Sequence, residues 1–562
     1  VWLPPLDLPD TLDQLFGALA INRDYGLHSP SWRAKGRLTV PIGIKDVPRE
    51  QRREHMVLEL TGGAGNVVVY GGAQSGKSTV LRTLVMALSL VNTPREAQFY
   101  ILDFGGGTFA GFRNAPHVAA VGSRDRPDVV ARIIAEITAI MADREAYFRE
   151  HGIDSIGTYR RGRDAGRYDD GYGDVFLVID GWNNMKADFV DLDRTIQDLA
   201  GRALALGVHL VVATARQADM RQALQGAFGS VFELRLGEVR DSTINAKKAA
   251  LVPEGTPGRG LAPSEHHVLA GLPRIDGKNE TETLADGVAH AWNAIGSAWQ
   301  GEPGPKLKML PELLPLERVR AAAKPEVAGG VLLGIDEARL EPIGFDPVAS
   351  PHLFVFGDSQ TGKTGVLRLI AHEVMRLNRP PQAQFFLVDF RRSMLQEIPD
   401  VYLAGYYTNH QVTTAAMAEI AGLLKQRLPG KDVTPQQLRD RSWWQGPEFY
   451  IMVDDLDLVN TSQGNPLAPI VELLPQARDV GLHLFITRRS GGVSRALFDP
   501  AIRALTDLGA TGLLLPGSPE EGPVIGKIKF QPGPAGRGQL ISRANGRQLI
   551  QVAYVEPQLA DE

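Results

Sequence analysis

The sequence predicts an α/β protein made of two tandem copies of one domain, each a mainly parallel sheet flanked by helices. Three observations predict it. Short β-branched strand runs alternate with helical stretches along the chain. Twice, such a strand enters a Gly-rich turn and then a helix: "VVVYGGAQSGKSTVL" (67–81) and "LFVFGDSQTGKTGVL" (353–367). The surroundings of these two stretches also repeat in register.

Lys363 follows Lys77 at an offset of 286, and that offset lays "NRPPQAQFFLVDF" (378–390) over "NTPREAQFYILDF" (92–104). Further on the offset falls to 274, so the second copy is shorter by 12 residues in between. There "FYIMVD" (449–454) lies over "VFLVID" (175–180), and "DVGLHLFI" (479–486) over "ALGVHLVV" (205–212). A Gly-Arg-Gly closes each copy, in "TPGRGLA" (256–262) and "PAGRGQL" (534–540). A period this long marks tandem domains rather than a solenoid. The expected division is a first domain over 1–299, a Pro- and Gly-rich linker over 300–330 and a second domain over 331–562. "LPELLPL" (310–316) echoes "WLPPLDLP" at the chain start, so the repeat unit reads as a Leu-Pro segment followed by a core. Being apolar, the 310–316 segment is expected to cover a groove on the first domain, leaving the matching groove on the second open.

At 562 residues the chain exceeds what one core supports. A net charge of −5 gives no global pull toward nucleic acid or anionic lipid. With no cysteine, disulfides and thiolate metal sites are excluded. No apolar run approaches the roughly 20 residues of a membrane-spanning helix. The opening "VWLPPLDLP" lacks a Met and a signal-like pattern, and reads as the start of a soluble piece of a longer protein. The basic run "YRRGRDAGRYDD" (159–170) reads as a solvated loop.

Both Gly-rich turns match the P-loop pattern in its strand–loop–helix setting. The first comprises Gly71, Gly72, Ala73, Gln74, Ser75, Gly76, Lys77, Ser78 and Thr79. The second comprises Gly357, Asp358, Ser359, Gln360, Thr361, Gly362, Lys363 and Thr364. Backbone N–H groups of such loops close around phosphates, and the helix dipole adds to the field. Lys77 and Lys363 are expected at the terminal phosphates of ATP, with Ser78 and Thr364 on Mg²⁺. Asp180 and Asp454 end apolar strands and are the expected carboxylates on the metal side, partly through water. Hydrolysis further needs a group that orients the attacking water. The residue after Asp180 is Gly181, which cannot do so, and the residue after Asp454 is Asp455, one methylene shorter than Glu. The expected catalytic set is therefore Asp180, Asp454 and Asp455, with a binding-competent first site and a marginal second one. Thr214 lies near the γ-phosphate position of the first site, and Thr487, Arg488 and Arg489 near that of the second. Asp103 and Asp389 are open to a supporting role or a turn role. Arg132, Arg144 and Arg427 are open to serving a neighbouring subunit's nucleotide or to being solvated.

These features together resemble the FtsK/SpoIIIE branch of ring-forming P-loop motors, and within it the EccC family of type VII (ESX) secretion ATPases. The resemblance rests on "GGAQSGKST", "QFYILDFGGGTFAGFRNAPHVAAV", "VFLVIDGW" and "LGVHLVVATARQ" in the first domain. In the second it rests on "GDSQTGKT", "QFFLVDFRR", "IMVDDLD" and "HLFITRRSGG". It implies RecA/FtsK-like domains, specifically the last two of three ATPase domains, or the soluble half of a split protein. It implies recognition of WXG-type substrates through a C-terminal signal peptide, hexamers, and docking on a membrane-embedded secretion core or an upstream ATPase domain at the inner face of the membrane. Neither domain has the Asp-Glu pair of an active motor. Two alternatives stand beside this reading: a DNA translocase, which the charge disfavours, and a structural adaptor with nucleotide as glue.

Overall fold

The computed structural model describes residues 6–558; residues 1–5, which begin the first Leu-Pro segment, and 559–562 lie outside the described residues. The chain divides into two compact units, Val1–Leu307 and Lys308–Glu562. The division falls inside the expected linker.

Each unit holds one ten-stranded mixed sheet, and the strand order of the two is the same. In the first, six strands run parallel, ordered Ser230–Leu234, Val67–Tyr70, Val208–Thr214, Asp174–Asp180, Ala97–Asp103 and Val118–Ser123. The second repeats this with Thr511–Leu514, His352–Gly357, Leu482–Arg489, Glu448–Val453, Ala383–Val388 and Leu403–Tyr407. The central strands are buried on both faces, as their near-continuous apolar runs require. An antiparallel ribbon of four strands extends each sheet beyond the last parallel strand. The sequence reading missed this half, because its short strands take their identity from neighbours far away in sequence.

Helices cover both faces. In the first unit the helix Lys77–Ser89 packs on one face, with Val80, Leu81, Leu84 and Val85 in the core. The 25-residue helix Pro127–His151 packs on the other through Val130, Ile133, Ile137 and Met141. The second unit uses Lys363–Leu377 and the shorter His410–Lys425 in the same places.

The Leu-Pro stretch 310–316 does not behave as expected. Leu310, Leu314 and Leu316 are buried, and the stretch joins the second unit's own core. Pro315 bridges Tyr554, and Arg537 donates to the carbonyls of Leu310 and Pro311. The segment that lies on the first unit is the preceding one. There Gly304 N donates to Pro116 O at 3.0 Å, Leu307 N to Ala119 O at 3.1 Å, and Lys306 Nζ to Ala115 O and Val118 O. The basic run 159–170 is no solvated loop either. Its first half belongs to the helix Ile156–Asp164, and its members pin the first unit's core.

Candidate functional site

Each sheet carries its loop at the C-terminal end of the strand Val67–Tyr70 or His352–Gly357, where the parallel strands leave a crevice. One strand separates the loop strand from the strand ending in Asp180 or Val453. This places Ser78 against Asp180, and Thr364 Oγ1 donates to Asp454 Oδ2 at 2.8 Å. The sequence-predicted loop residues, serine or threonine, and carboxylate therefore converge in both units.

The loops are held open by their own backbone. Gly76 and Gly362 cap the following helices at φ 98° and 103°, a region that L side chains avoid. A Cβ on Gly76 would sit 2.8 Å from Gly258 N. Gly258 N donates to Ser75 O at 2.8 Å, and Gly536 N to Thr361 O at 2.9 Å. The Gly-Arg-Gly repeats thus brace the loops. The repeat was visible in the sequence, but its contact is tertiary. Ser75 Oγ donates to Gly72 O, and Thr361 Oγ1 to Asp358 O, closing each turn. Of the remaining loop residues, Ala73, Gln74, Ser359, Gln360 and Asp358 are exposed, and Ser490 Oγ donates to the Asp358 carboxylate.

Lys77 Nζ donates to Gly71 O at 2.8 Å and Gly72 O at 2.6 Å, and Lys363 Nζ to Asp358 O at 2.9 Å. Burial pulls the Lys77 ammonium below its ordinary value, and Asp180 pulls it back up. Asp180 is 1% exposed, and its Oδ2 has no hydrogen-bond partner among the described residues. Burial raises its pKa and the neighbouring Asp103 adds to this, against Ser78, Lys77 and Arg82. A buried carboxyl with an idle oxygen beside a serine fits a divalent cation, which would satisfy both. Asp454 is likewise raised by burial, but Thr364 and Thr487 occupy both its oxygens. A cavity of about 370 Å³, lined in part by Gly76, Thr79, Thr256, Pro257 and Gly258, adjoins the first loop. It has room for a nucleoside.

The residues after the strand carboxylates differ. Gly181 has φ 80°, and a Cβ there would lie 2.8 Å from the carbonyl carbon and oxygen of Phe104. Asp455 takes the same left-handed conformation, φ 48°, as a non-glycine residue. Its N–H donates to Thr487 Oγ1 at 2.9 Å, and its carboxylate pairs with Arg391 Nε at 3.0 Å. Thr487 also donates to Asp454 Oδ1 at 2.6 Å, whereas Thr214 donates to Asp219. Arg489 ends its strand and pairs with Asp457 at 2.8 Å, and Arg488 before it is half-buried.

Asp103 and Asp389 prove to be loop organisers. Asp103 accepts from Gly107 N and Phe109 N, and Asp389 from Arg391 N, Met394 N and Tyr406 Oη. The three arginines are held within the fold, Arg132 and Arg144 on the helix Pro127–His151 and Arg427 in the turn after the helix His410–Lys425 rather than on it. Arg132 is buried against Glu136. Arg144 is fully buried, pairs with Asp170 at 2.6 Å and donates to Leu206 O. Arg427 lies between Trp444 and Phe449 and donates to Val480 O at 3.1 Å. Leu206 and Val480 are repeat equivalents at offset 274, so Arg144 and Arg427 are one pin used twice. Each is engaged by its own unit through these contacts.

Residues 27–276 match the FtsK/SpoIIIE family. The ESX secretion system protein EccC of Thermomonospora curvata is 44% identical over 557 residues, covering 99% of this chain and 42% of that protein. The ESX-1 secretion system protein EccCb1 of Mycobacterium tuberculosis is 35% identical over 570 residues, covering 99% of this chain and 93% of that protein. Among solved structures, T. curvata EccC (ATPases 2 and 3) in complex with a signal sequence peptide superposes with a TM-score of 0.92 at 44% identity, covering 99% of this chain and all of that one. The chain spans less than half the length of the T. curvata relative. It belongs to the EccC/EccCb family of FtsK/SpoIIIE-type ATPases of ESX (type VII) secretion systems.

Proposed function

We propose that this chain is the nucleotide-binding and substrate-recognising part of a type VII secretion motor, equivalent to ATPases 2 and 3 of its relatives. Both loops hold ATP with Mg²⁺, through Lys77, Ser78 and Asp180 in one unit and Lys363, Thr364 and Asp454 in the other. Bound Mg²⁺–ATP supplies the phosphoryl group, and hydrolysis is slow because neither unit has a well-placed water-orienting acid. The packing of Gly181 favours a structural role for nucleotide in the first unit. Hexamer formation and docking at the inner face of the membrane belong to the same reading. No helix among the described residues is long and apolar enough to cross a membrane.

The observation that carries substrate recognition is the contrast between two equivalent sheet edges. The first unit's edge strand, Val118–Ser123, has Leu307 N hydrogen-bonded alongside it and is mostly buried. The second unit's edge strand, Leu403–Tyr407, is half-buried or exposed throughout, with no such segment on it among the described residues. Val401 and Val412 nearby are 67% and 49% exposed. An unpaired edge beside apolar side chains suits an added peptide segment. We assign it to the C-terminal signal peptide of a WXG-type substrate, the ligand class named for the T. curvata structure being a signal sequence peptide.

The test is titration of the intact chain with a fluorescent C-terminal substrate peptide. One peptide should bind, and Val401→Asp should abolish binding while nucleotide binding persists. Lys306→Ala combined with Leu307→Asp should open the first edge and raise the stoichiometry toward two. Binding that ignores Val401→Asp refutes the assignment.

A further inference from the structure

The Asp455 carboxylate is not free to meet a water. Its Oδ2 is held by Arg391 Nε at 3.0 Å. Its backbone is tied through Thr487 to Asp454, the carboxylate beside Thr364. The other nearby cation, Arg489, is engaged by Asp457 at 2.8 Å, so it does not compete for Asp455. Arg391 therefore determines where this acid points.

The first unit shows that the pairing is a unit of design. At the repeat offsets, Arg391 corresponds to Gly105 and Asp455 to Gly181. These two glycines face each other, since a Cβ on Gly181 would lie 3.0 Å from Gly105 N. The same two neighbouring positions thus carry a cation with an acid in one domain and two glycines in the other. Where the acid is absent, so is its restraint. The Arg391 side chain is 53% exposed and that of Asp455 only 12%. The cation can swing into solvent while the acid stays facing the site.

We propose that Arg391 is a positioning residue that latches Asp455, and that breaking this pair is what permits Asp455 to orient water at the second loop. The proposal rests on reading that loop as an ATP site. It also separates two reasons for slow hydrolysis. Lengthening the acid leaves the latch closed, whereas removing the arginine opens it with the acid unchanged.

The experiment uses the full chain carrying Lys77→Ala, so that turnover reports the second loop. Arg391→Ala should raise kcat about three- to tenfold, with KM and the affinity for a fluorescent ATP analogue within about twofold of the parent. Arg391→Lys, which keeps the charge, should stay at the parent rate. Adding Asp455→Asn to Arg391→Ala should remove the gain. Without nucleotide, the melting shifts of Arg391→Ala and Asp455→Asn should be coupled, the double variant melting no lower than the worse single. An unchanged or lower kcat in Arg391→Ala with nucleotide affinity intact overturns the latch, as do additive melting shifts. Loss of nucleotide binding in the Lys77→Ala parent itself overturns the ATP-site reading, and the latch with it.

Discussion

In the first unit the strand carboxylate Asp180 keeps one oxygen without a partner among the described residues and is followed by a glycine packed on backbone. In the second, Asp454 has both oxygens engaged by threonines and is followed by an acid paired to an arginine. The loops themselves hardly differ in what they offer a phosphate. On the proposed reading, one scaffold carries the binding half of the chemistry twice and differs in the water-handling half. Phosphate would be held by backbone geometry, which any sequence keeping the glycines preserves. Water orientation would depend on one side chain at the end of one strand, which a single substitution removes.

The largest effect that would break this comparison is at the loop lysines. Lys77→Ala and Lys363→Ala should each eliminate one of two ATP-binding events, weakening that site by about 100-fold or more, without altering the fold. Calorimetry on the parent that finds a single site would show that the two cradles are not equivalent in binding.

The next effect concerns the pin that both units share. Arg144 is wholly buried with Asp170, so Arg144→Ala strands a carboxylate and should cost about 3–5 kcal/mol. Arg427→Ala loses stacking on Trp444 and Phe449 and one carbonyl bond, and should cost about 1–2 kcal/mol. Urea midpoints measure both. Equal costs would mean that the ion pair adds nothing to the pin.

These arginines also show where sequence reading stops. The loops, Asp180 and Asp454 were legible because each is encoded within about ten contiguous residues whose local pattern carries the chemistry. The partner of Arg144 is 26 residues away, and the Leu206 carbonyl it shares with the repeat is 62 away. Nothing local distinguishes such a residue from a solvated one. Arg391 was visible as part of "DFRR", but its meaning lies in Asp455, on a neighbouring strand's end. The antiparallel ribbons failed for the same reason. Strands such as Arg259–Leu261, three residues long, exist because Glu233 and Leu269 lie beside them.

A sharper test exchanges the residues after the strand carboxylates. Gly181→Glu places a Cβ against the Phe104 carbonyl and a side chain at φ 80°, and should cost about 2–4 kcal/mol while adding no turnover. Asp455→Glu should fold normally, since an L residue already holds that conformation, and raise turnover only slightly while Arg391 remains. Rapid hydrolysis by Gly181→Glu would show that the first site lacks a side chain and nothing more.

The smallest contrast between the units, a difference in pH dependence, lies at the opposite end of the sheets, where each unit carries a histidine–acid pair: His209 with Asp174, and His483 with Glu448. Burial alone would raise the Glu448 carboxyl, but the hydrogen bond and charge of His483, with Arg441, overcome it and hold it at about 2 against 4.5 unfolded. A depressed carboxyl stabilises fully above its unfolded value and loses that stabilisation as pH falls through its folded value. Glu448→Gln should thus cost up to about 3 kcal/mol at pH 7, and less than half of that at pH 3. Asp174 is buried more deeply, and His209 and Arg160 together hold it lower still, against the same opposing burial. The cost of Asp174→Asn should therefore change less between pH 7 and pH 3. Urea midpoints of both variants and the parent at the two pH values decide it. Parallel loss in both would mean that the deeper burial of Asp174, and the exchange of Arg160 in one unit for Arg441 in the other, contribute nothing to the difference between the two units.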